Sequence, residues 1–368
     1  MHPTAIKDLL RRFVAPIDMP LMTVMVLLIA FGLVVLASAT NDSPGRMSSQ
    51  VINLCIALVL MRAVAQVPPQ TLMRLAPPIY VGGVILLVAV ALFGEVSKGA
   101  RRWLDIGVTR IQPSEVMKIA MPLMLAWYFQ KREAALKLRD YIVGAVLLVG
   151  PVALIAKQPD LGTSMLVLAA GFYVIFLAGL SWKLIFGLLV AALASMPLVW
   201  SMLHDYQRNR ILTLIDPEQD PLGKGFHIIQ STIAVGSGGI AGKGWMHGTQ
   251  AHLEFLPERH TDFIFAVLSE EFGLIGNSLL MILYALLIGR GLMISAHAPT
   301  FFSRLLAGSI TLTLFTYAFV NMGMVSGLLP VVGVPLPFIS YGGTALVTLF
   351  LGIGILMSIS RNRRLMQK

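Results

Sequence analysis

Leu256 to Gly273 reads LPERHTDFIFAVLSEEFG, a polar run that passes without a break into an apolar helix. Asp262 sits at the seam, close behind Arg259 and His260, and the run that begins at Phe263 has the length and character of a membrane helix. A carboxylate at a membrane boundary is costly, so Asp262 asks for a reason.

Working outward, the whole chain supports a membrane setting. Of its 368 residues, 57% are hydrophobic and only 12% charged, and its mean hydropathy is +0.80. No soluble domain of this size tolerates that balance. The formal charge of +10 does not point to nucleic acid, because membrane proteins gather Lys and Arg in their cytoplasmic loops. The single cysteine, Cys55, lies in an apolar stretch, which leaves no disulfide framework and no cysteine-based metal site. Lys7, Arg11 and Arg12 precede an apolar run ending in Ala37-Ser38-Ala39, a pattern resembling a cleavable leader. The run from Pro20 to Ala37 exceeds a leader core of about 7 to 15 residues, so it reads as an uncleaved first span.

Apolar stretches of spanning length fall at Pro20 to Ala37, Ser49 to Ala65, Pro77 to Phe93, Pro113 to Phe129, Tyr141 to Ala156, Thr163 to Leu180, Leu184 to Leu203, Phe263 to Ile288, Leu305 to Val325 and Tyr341 to Ile359. The expected fold is therefore an all-α polytopic membrane protein of about ten spans. Residues 1–368 form one transmembrane domain, with an extracytoplasmic loop at about 204–261 between spans seven and eight. With the N-terminus inside, the short inner loops carry cations such as Arg62, Arg74, Lys131, Arg132, Lys137 and Arg139, and both termini are cytoplasmic. The outer side ought to be poor in cations. Yet Arg46, Lys98, Arg101, Arg102, Arg110, Lys157, Arg208, Arg210, Lys224, Lys243 and Arg259 fall there, which suggests that something anionic meets them.

The long loop is the expected working segment. Asp216 to Gly223 reads as consecutive turns, and Phe226 to Ala234 as a short amphipathic helix on the membrane surface. Gly236 to Gly244 reads as a flexible hinge, with close backbone approach to an anion as the lesser alternative. It is no nucleotide site: neither a preceding strand nor the Ser or Thr of a P-loop accompanies the glycines. His227, His247, His252 and His260 lack zinc-ligand spacing.

Several charges need explaining. Glu115 and Lys118 stand three apart at the start of the fourth span, on neighbouring positions of one helix. Glu115 suits a helix N-terminus, and Lys118 either pairs with it while snorkelling outward or serves function. Asp160, in Gln158-Pro159-Asp160-Leu161-Gly162-Thr163, either caps the next helix or helps hold a divalent cation. Glu270 and Glu271 lie deeper in the eighth span and read as structural pairs. Pro330 to Thr344 is a Pro- and Gly-rich re-entry before the last span, tolerable at that depth only if buried in protein or lining a cavity. No nucleophile-elbow pattern surrounds Ser340, which reads as structural.

Four blocks together resemble the SEDS family (shape, elongation, division and sporulation proteins), its elongation branch more closely than its division branch. They are Gly99-Ala100-Arg101-Arg102-Trp103 with Gln112 to Glu115 and Lys118; Gln158 to Thr163; Leu256 to Glu258 with His260 to Phe263; and Pro330 to Thr344. His227-Ile228-Ile229-Gln230, His247-Gly248-Thr249-Gln250 and the short N-terminal tail favour the elongation branch. The resemblance covers essentially the whole chain. It implies a peptidoglycan glycosyltransferase of the cytoplasmic membrane that polymerises lipid II on the outer face and works with a class B penicillin-binding protein. It also implies that Asp262 is catalytic and that Glu115, Lys118 and Asp160 lie near the same cavity.

On that basis the expected chemistry is an inverting displacement of polyprenyl pyrophosphate by a sugar hydroxyl, with Asp262 as general base. Arg102, Arg210 and Lys118, with a divalent cation (Mg or Mn), would stabilise the leaving pyrophosphate; His260 would position. Asp262 and Asp160 are the candidate metal ligands, and no nucleotide or zinc is expected. A lipid flippase and a non-catalytic scaffold are the rival readings.

Overall fold

A computed structural model describes residues 17–40, 43–97, 100–105, 110–134, 136–203, 205–217, 224–252, 256 and 258–366. Among these, ten long helices stand where the ten apolar stretches stood: α1 (Met19–Ala39), α2 (Pro44–Gln66), α3 (Pro69–Phe93), α4 (Pro113–Gln130), α5 (Leu138–Lys157), α6 (Leu161–Leu177), α7 (Trp182–Met202), α11 (Ile264–Ala296), α12 (Phe301–Val325) and α13 (Thr344–Met366). Eight of them are long and apolar enough to cross a membrane. The other two are α4, which carries Glu115 and Lys118, and α6, which has 17 residues. α4 is enclosed by protein, packed against α3, α6 and α12, while α6 packs against α4, α5 and α12 on one side and turns Met165, Leu168 and Phe172 outward. Protein neighbours replace lipid around α4, so it does not need full apolarity; α6 is apolar and merely short. At the other extreme α7 buries none of its apolar window, and Phe186, Leu193 and Met196 all face outward.

The chain is not purely helical. Three short antiparallel strands, β1 (Glu95–Ser97), β2 (Ala100–Asp105) and β3 (Arg110–Ile111), form a sheet in the order β1-β2-β3 between α3 and α4. Glu95 faces Trp103 and Leu104 faces Ile111 across it. β-branched and aromatic residues favour such pairing, but the run was too short to read as strand.

The segment between α7 and α11 holds α8 (Asp205–Ile215), α9 (Lys224–Ser237) and α10 (Thr249–His252). The expected turns fall largely on residues 218–223, outside the described residues. The amphipathic helix exists as α9, but it is no isolated surface helix. It packs on α11 and α12, burying Ile228, Ser231 and Ala234.

The glycine run that follows is not a hinge. At Gly273 (φ 60°, ψ −154°) α11 is broken, so neighbouring backbone groups lose their helical partners. The run supplies replacements. Lys243 N donates to Glu270 O (2.9 Å) and Gly244 N to Glu271 O (3.0 Å), while Leu274 N and Ile275 N donate to Gly239 O (2.9 Å) and Ile240 O (3.1 Å). Glycine is required because a Cβ at Gly238 or Gly242 would fall 2.0 or 2.1 Å from a carbonyl oxygen of α11. The buried Glu270 carboxylate then takes Lys243 Nζ (2.7 Å), Thr249 Oγ1 (2.9 Å) and the Thr249 N–H (2.9 Å), and Ser38 Oγ bonds Glu271. Both glutamates are structural pairs.

Candidate active site

Asp262 lies in the tight turn that opens α11, where Thr261 N and Phe263 N both point to Glu258 O. Its side chain is partly exposed. The turn is clamped by the re-entrant segment between α12 and α13. From the end of α12, buried Asn321 donates through Nδ2 to Asp262 O (2.8 Å) and Val334 O (2.7 Å). Ser340 Oγ donates to Thr261 O (2.6 Å), and Tyr341 N to His260 O (2.8 Å). The inner part of the segment, residues 336–340, is buried, with Leu336, Phe338 and Ile339 at 3% exposure or less, which is what irregular backbone at membrane depth requires. A Cβ on Gly333 (φ +75°) would lie 3.4 Å from Asp262 Oδ2, so the backbone there passes close to the carboxylate.

His260 sits beside the same turn, its ring 5.8 Å from that of Tyr341 and its Nδ1 3.3 Å from Arg46 Nη1. Arg259 Nε donates to Ala39 O at the end of α1 (3.1 Å). Several cations of the expected outer side are thus engaged by the protein itself. Arg102 Nη2 donates to Pro159 O (2.6 Å), Arg208 to the carbonyls of Trp200 and Ser201, and Lys243 pairs with Glu270. The excess of cations is explained partly by carbonyls at helix ends rather than by a ligand alone. Lys224 opens α9 and Arg210 lies within α8, but their side chains, like those of Arg101 and Arg110, lie outside the described residues.

Asp160 is the N-cap of α6, taking Thr163 N on Oδ1 (3.3 Å). Its Oδ2 takes Gln112 Nε2 (3.2 Å) and lies 3.9 Å from Arg102 Nε. The helix it starts touches the re-entrant segment: a Cβ on Gly162 would fall 2.6 Å from Val332 O, one residue before Gly333. Asp160 and Asp262 therefore flank the same stretch of backbone.

Glu115 and Lys118 form a buried ion pair at 2.6 Å, and Lys118 Nζ lies 5.2 Å from the ring centre of Tyr317. Lys118 does not snorkel outward. Both side chains are buried, so the ammonium has no short path to water. The two ends of the pair face different spaces. Glu115 borders a cavity of about 720 Å³ between α2, α3, α4 and α13, whose polar end is made by Asn53, Gln112, Glu115 and Thr344 and whose remaining wall is apolar. Lys118 borders a cavity of about 30 Å³ with Thr313, Tyr317 and Thr348. Asp262, Asp160, Arg102 and His260 do not line the larger cavity; Gln112, bonded to Asp160, and Gly343, which ends the clamp segment, connect them to it. Asn321 and Tyr317 were not read as site residues. A lone polar group inside an apolar helix is the signal that marks Asn321.

The sequence profile of the FTSW_RODA_SPOVE family, described as cell cycle proteins, matches residues 18–365. The peptidoglycan glycosyltransferase MrdB of Escherichia coli K12 is 52% identical over 353 residues, which is 96% of this chain and 95% of that one. Among solved structures, a chain of a peptidoglycan synthase complex that coordinates polymerization and crosslinking is 36% identical, with a TM-score of 0.82 over 94% of this chain and 98% of its own length. The rod shape determining protein RodA of Thermus thermophilus is 30% identical, with a TM-score of 0.71 over 94% and 97%. With a match over nearly its whole length, the chain belongs to the SEDS family, as the resemblance of its four sequence blocks implied.

Proposed function

We propose that the protein is a peptidoglycan glycosyltransferase that polymerises lipid II into β-1,4 glycan strands at the outer face of the cytoplasmic (inner) membrane during cell elongation. The observation that carries this reading is the Asp262 turn, held on three sides by Asn321, Ser340 and Tyr341 next to the backbone at Gly333. A positioned carboxylate at the membrane edge suits a general base. Both termini are cytoplasmic in this reading.

The donor is the growing strand on its polyprenyl pyrophosphate, and the acceptor is the sugar hydroxyl of an incoming lipid II. Asp262 accepts the acceptor proton while the hydroxyl oxygen displaces pyrophosphate with inversion, so no protein nucleophile is needed. A base in this role contributes roughly 10² to 10⁴ in rate. The apolar cavity between α2, α3, α4 and α13 has Ile56 and Leu60, both partly exposed to lipid, in its wall, which suits entry of a lipid-anchored substrate from the side. Glu115, held by Lys118, offers this space an acceptor: its Oε2 is buried with no hydrogen-bond partner among the described residues. Arg102 and Arg210 remain the proposed partners of pyrophosphate, with Lys118 acting through Glu115.

A divalent cation of the Mg or Mn type would neutralise charge on the leaving pyrophosphate. Among the described residues no three His, Cys, Asp or Glu side chains cluster to hold one. Asp160 suits this task less well, because its oxygens already accept from Thr163 N and Gln112 Nε2 and a guanidinium stands 3.9 Å away. That leaves Asp262 to meet an ion arriving on pyrophosphate, as ions of this kind often bind through one or two carboxylates. The partner is a class B penicillin-binding transpeptidase, in keeping with the complex that the structural relative comes from.

A flippase is the rival class, since transporters bind substrates at broken helices. The break in α11 at Gly273 is filled by the chain's own glycine run, which leaves no room there for a substrate. The deciding experiment reconstitutes the protein with its transpeptidase and supplies lipid II. Polymer that disappears on chelation and returns with Mg²⁺ is expected; transfer of labelled lipid II between leaflets without polymer would overturn the reading.

A further inference from the structure

Three helices meet around Lys118, for α4, α12 and α13 pack against one another in all three pairings. The cavity of about 30 Å³ lies at this junction. Its polar lining is Lys118 from α4, Thr313 and Tyr317 from α12 and Thr348 from α13, and the rest of its wall is apolar. Tyr317 is 1% exposed, and its hydroxyl makes no hydrogen bond among the described residues. A buried hydroxyl left without a partner is costly inside a bundle, and the mechanism above gives this one no task.

The other polar groups set what the cavity can hold. Thr313 Oγ1 donates to Ser309 O (2.8 Å) and Thr348 Oγ1 to Thr344 O (3.1 Å). Both hydroxyl protons are thus committed, and both oxygens have lone pairs left to accept with. Lys118 Nζ gives one hydrogen to Glu115 Oε1 (2.6 Å) and keeps others for further acceptors. Two donors, the ammonium and the phenol, therefore border the same space as two acceptors. A buried water needs roughly 10 to 15 Å³ and two to four polar partners, and this cavity supplies both.

We propose that the cavity holds one water, which accepts from Lys118 and the Tyr317 hydroxyl and donates to Thr313 and Thr348, and that Tyr317 is thereby a positioning residue for Glu115. The water ties the ammonium to α12 and α13, and the ammonium in turn holds Oε1 of Glu115. Oε2 then stays free to meet a ligand in the large cavity. Removing the phenol takes one of the four bonds from the water, which loosens the ammonium and with it the aim of the carboxylate. Neither Tyr317 nor Thr313 lines the large cavity, so both act on its contents only through this chain of contacts. The inference rests on the reading of Glu115 as a contact for the lipid-linked substrate.

An apparent Kd for lipid II, measured by native mass spectrometry of the full chain in detergent, tests it without requiring turnover. Tyr317→Phe keeps the ring beside the ammonium and removes only the oxygen; it should weaken lipid II binding about fivefold, on the scale of one hydrogen bond. Thr313→Val removes an acceptor of the same water and should weaken binding to a similar degree. In a Glu115→Gln background Tyr317→Phe should add nothing, because the carboxylate it serves is gone. Tyr173→Phe, which removes another phenol bonded within the bundle, to Thr316 (2.7 Å), controls for packing and should bind like wild type. Unchanged binding in Tyr317→Phe, or the same loss with and without Glu115, overturns the proposal. A loss in Tyr317→Phe with none in Thr313→Val overturns the water. Should Tyr317→Phe fail to fold, Thr313→Val with and without Glu115→Gln carries the test. Wild type that binds lipid II without polymerising it counts against the proposed function alone, whereas wild type that binds none overturns both.

Discussion

Asn321 makes two hydrogen bonds from one amide nitrogen, to the backbone of the Asp262 turn and to the re-entrant segment. Asn321→Leu keeps the volume and removes both. Its expected effect is a fall in kcat of at least tenfold with KM little changed, because the substrate surfaces stay while the proposed base loses its aim. Steady-state polymerisation kinetics check this, and an unchanged kcat would assign Asn321 to packing alone. At this scale the sequence was informative about charge and weaker about partners. Asp262, Glu115 and Asp160 stood out because ionised groups at membrane depth are rare. Nothing in the spacing told that Lys118 turns away from the large cavity toward Tyr317, since both of its neighbouring helix faces carry similar residues.

The break in α11 is the element that the sequence concealed. Gly273 sits in a run that reads as one continuous apolar helix, and the glycine run that fills the break lies some thirty residues earlier. Glycines mark both flexible links and close backbone contacts, and only long-range packing separates the two. Gly242→Ala is therefore expected to destabilise the protein by about 1 to 3 kcal/mol through overpacking, with further cost from the left-handed backbone at φ +79°. A thermal melt in detergent measures it; a flexible hinge would accept alanine without a shift. Gly236→Ala, whose Cβ meets open space, should leave the melt unchanged.

Across the whole molecule, Asp18 ties three helices together at the end far from Asp262. It caps α1 through Leu21 N (3.2 Å), takes Arg290 of α11 on two atoms (2.7 and 3.0 Å) and accepts Ser360 Oγ of α13 (2.6 Å). Burial alone would raise its pKa, but the bonds from Arg290, Ser360 and Leu21 outweigh it and hold the carboxyl below its ordinary value. A lowered pKa means that the stabilisation is fully present above the ordinary carboxyl range near about 3.9 and is lost as pH falls through the folded value. Wild type should thus melt higher than Asp18→Asn near pH 7, with the difference shrinking below about pH 4; a gap that stays constant across this window would contradict the clamp. The ten-helix order was legible from hydropathy because the bilayer demands long apolar runs. The small sheet of β1 to β3 was not, because its strands are too short to show a period, and neither was the docking of α9, which depends on helices distant in the chain. The central claim is that Asp262 is the base of a polymerase. It is tested most directly by lipid II polymerisation with purified Asp262→Asn in complex with its transpeptidase, its melt and elution matching wild type. The account predicts a rate at least about 10²-fold lower; polymer formed at the wild-type rate by that folded variant would contradict it.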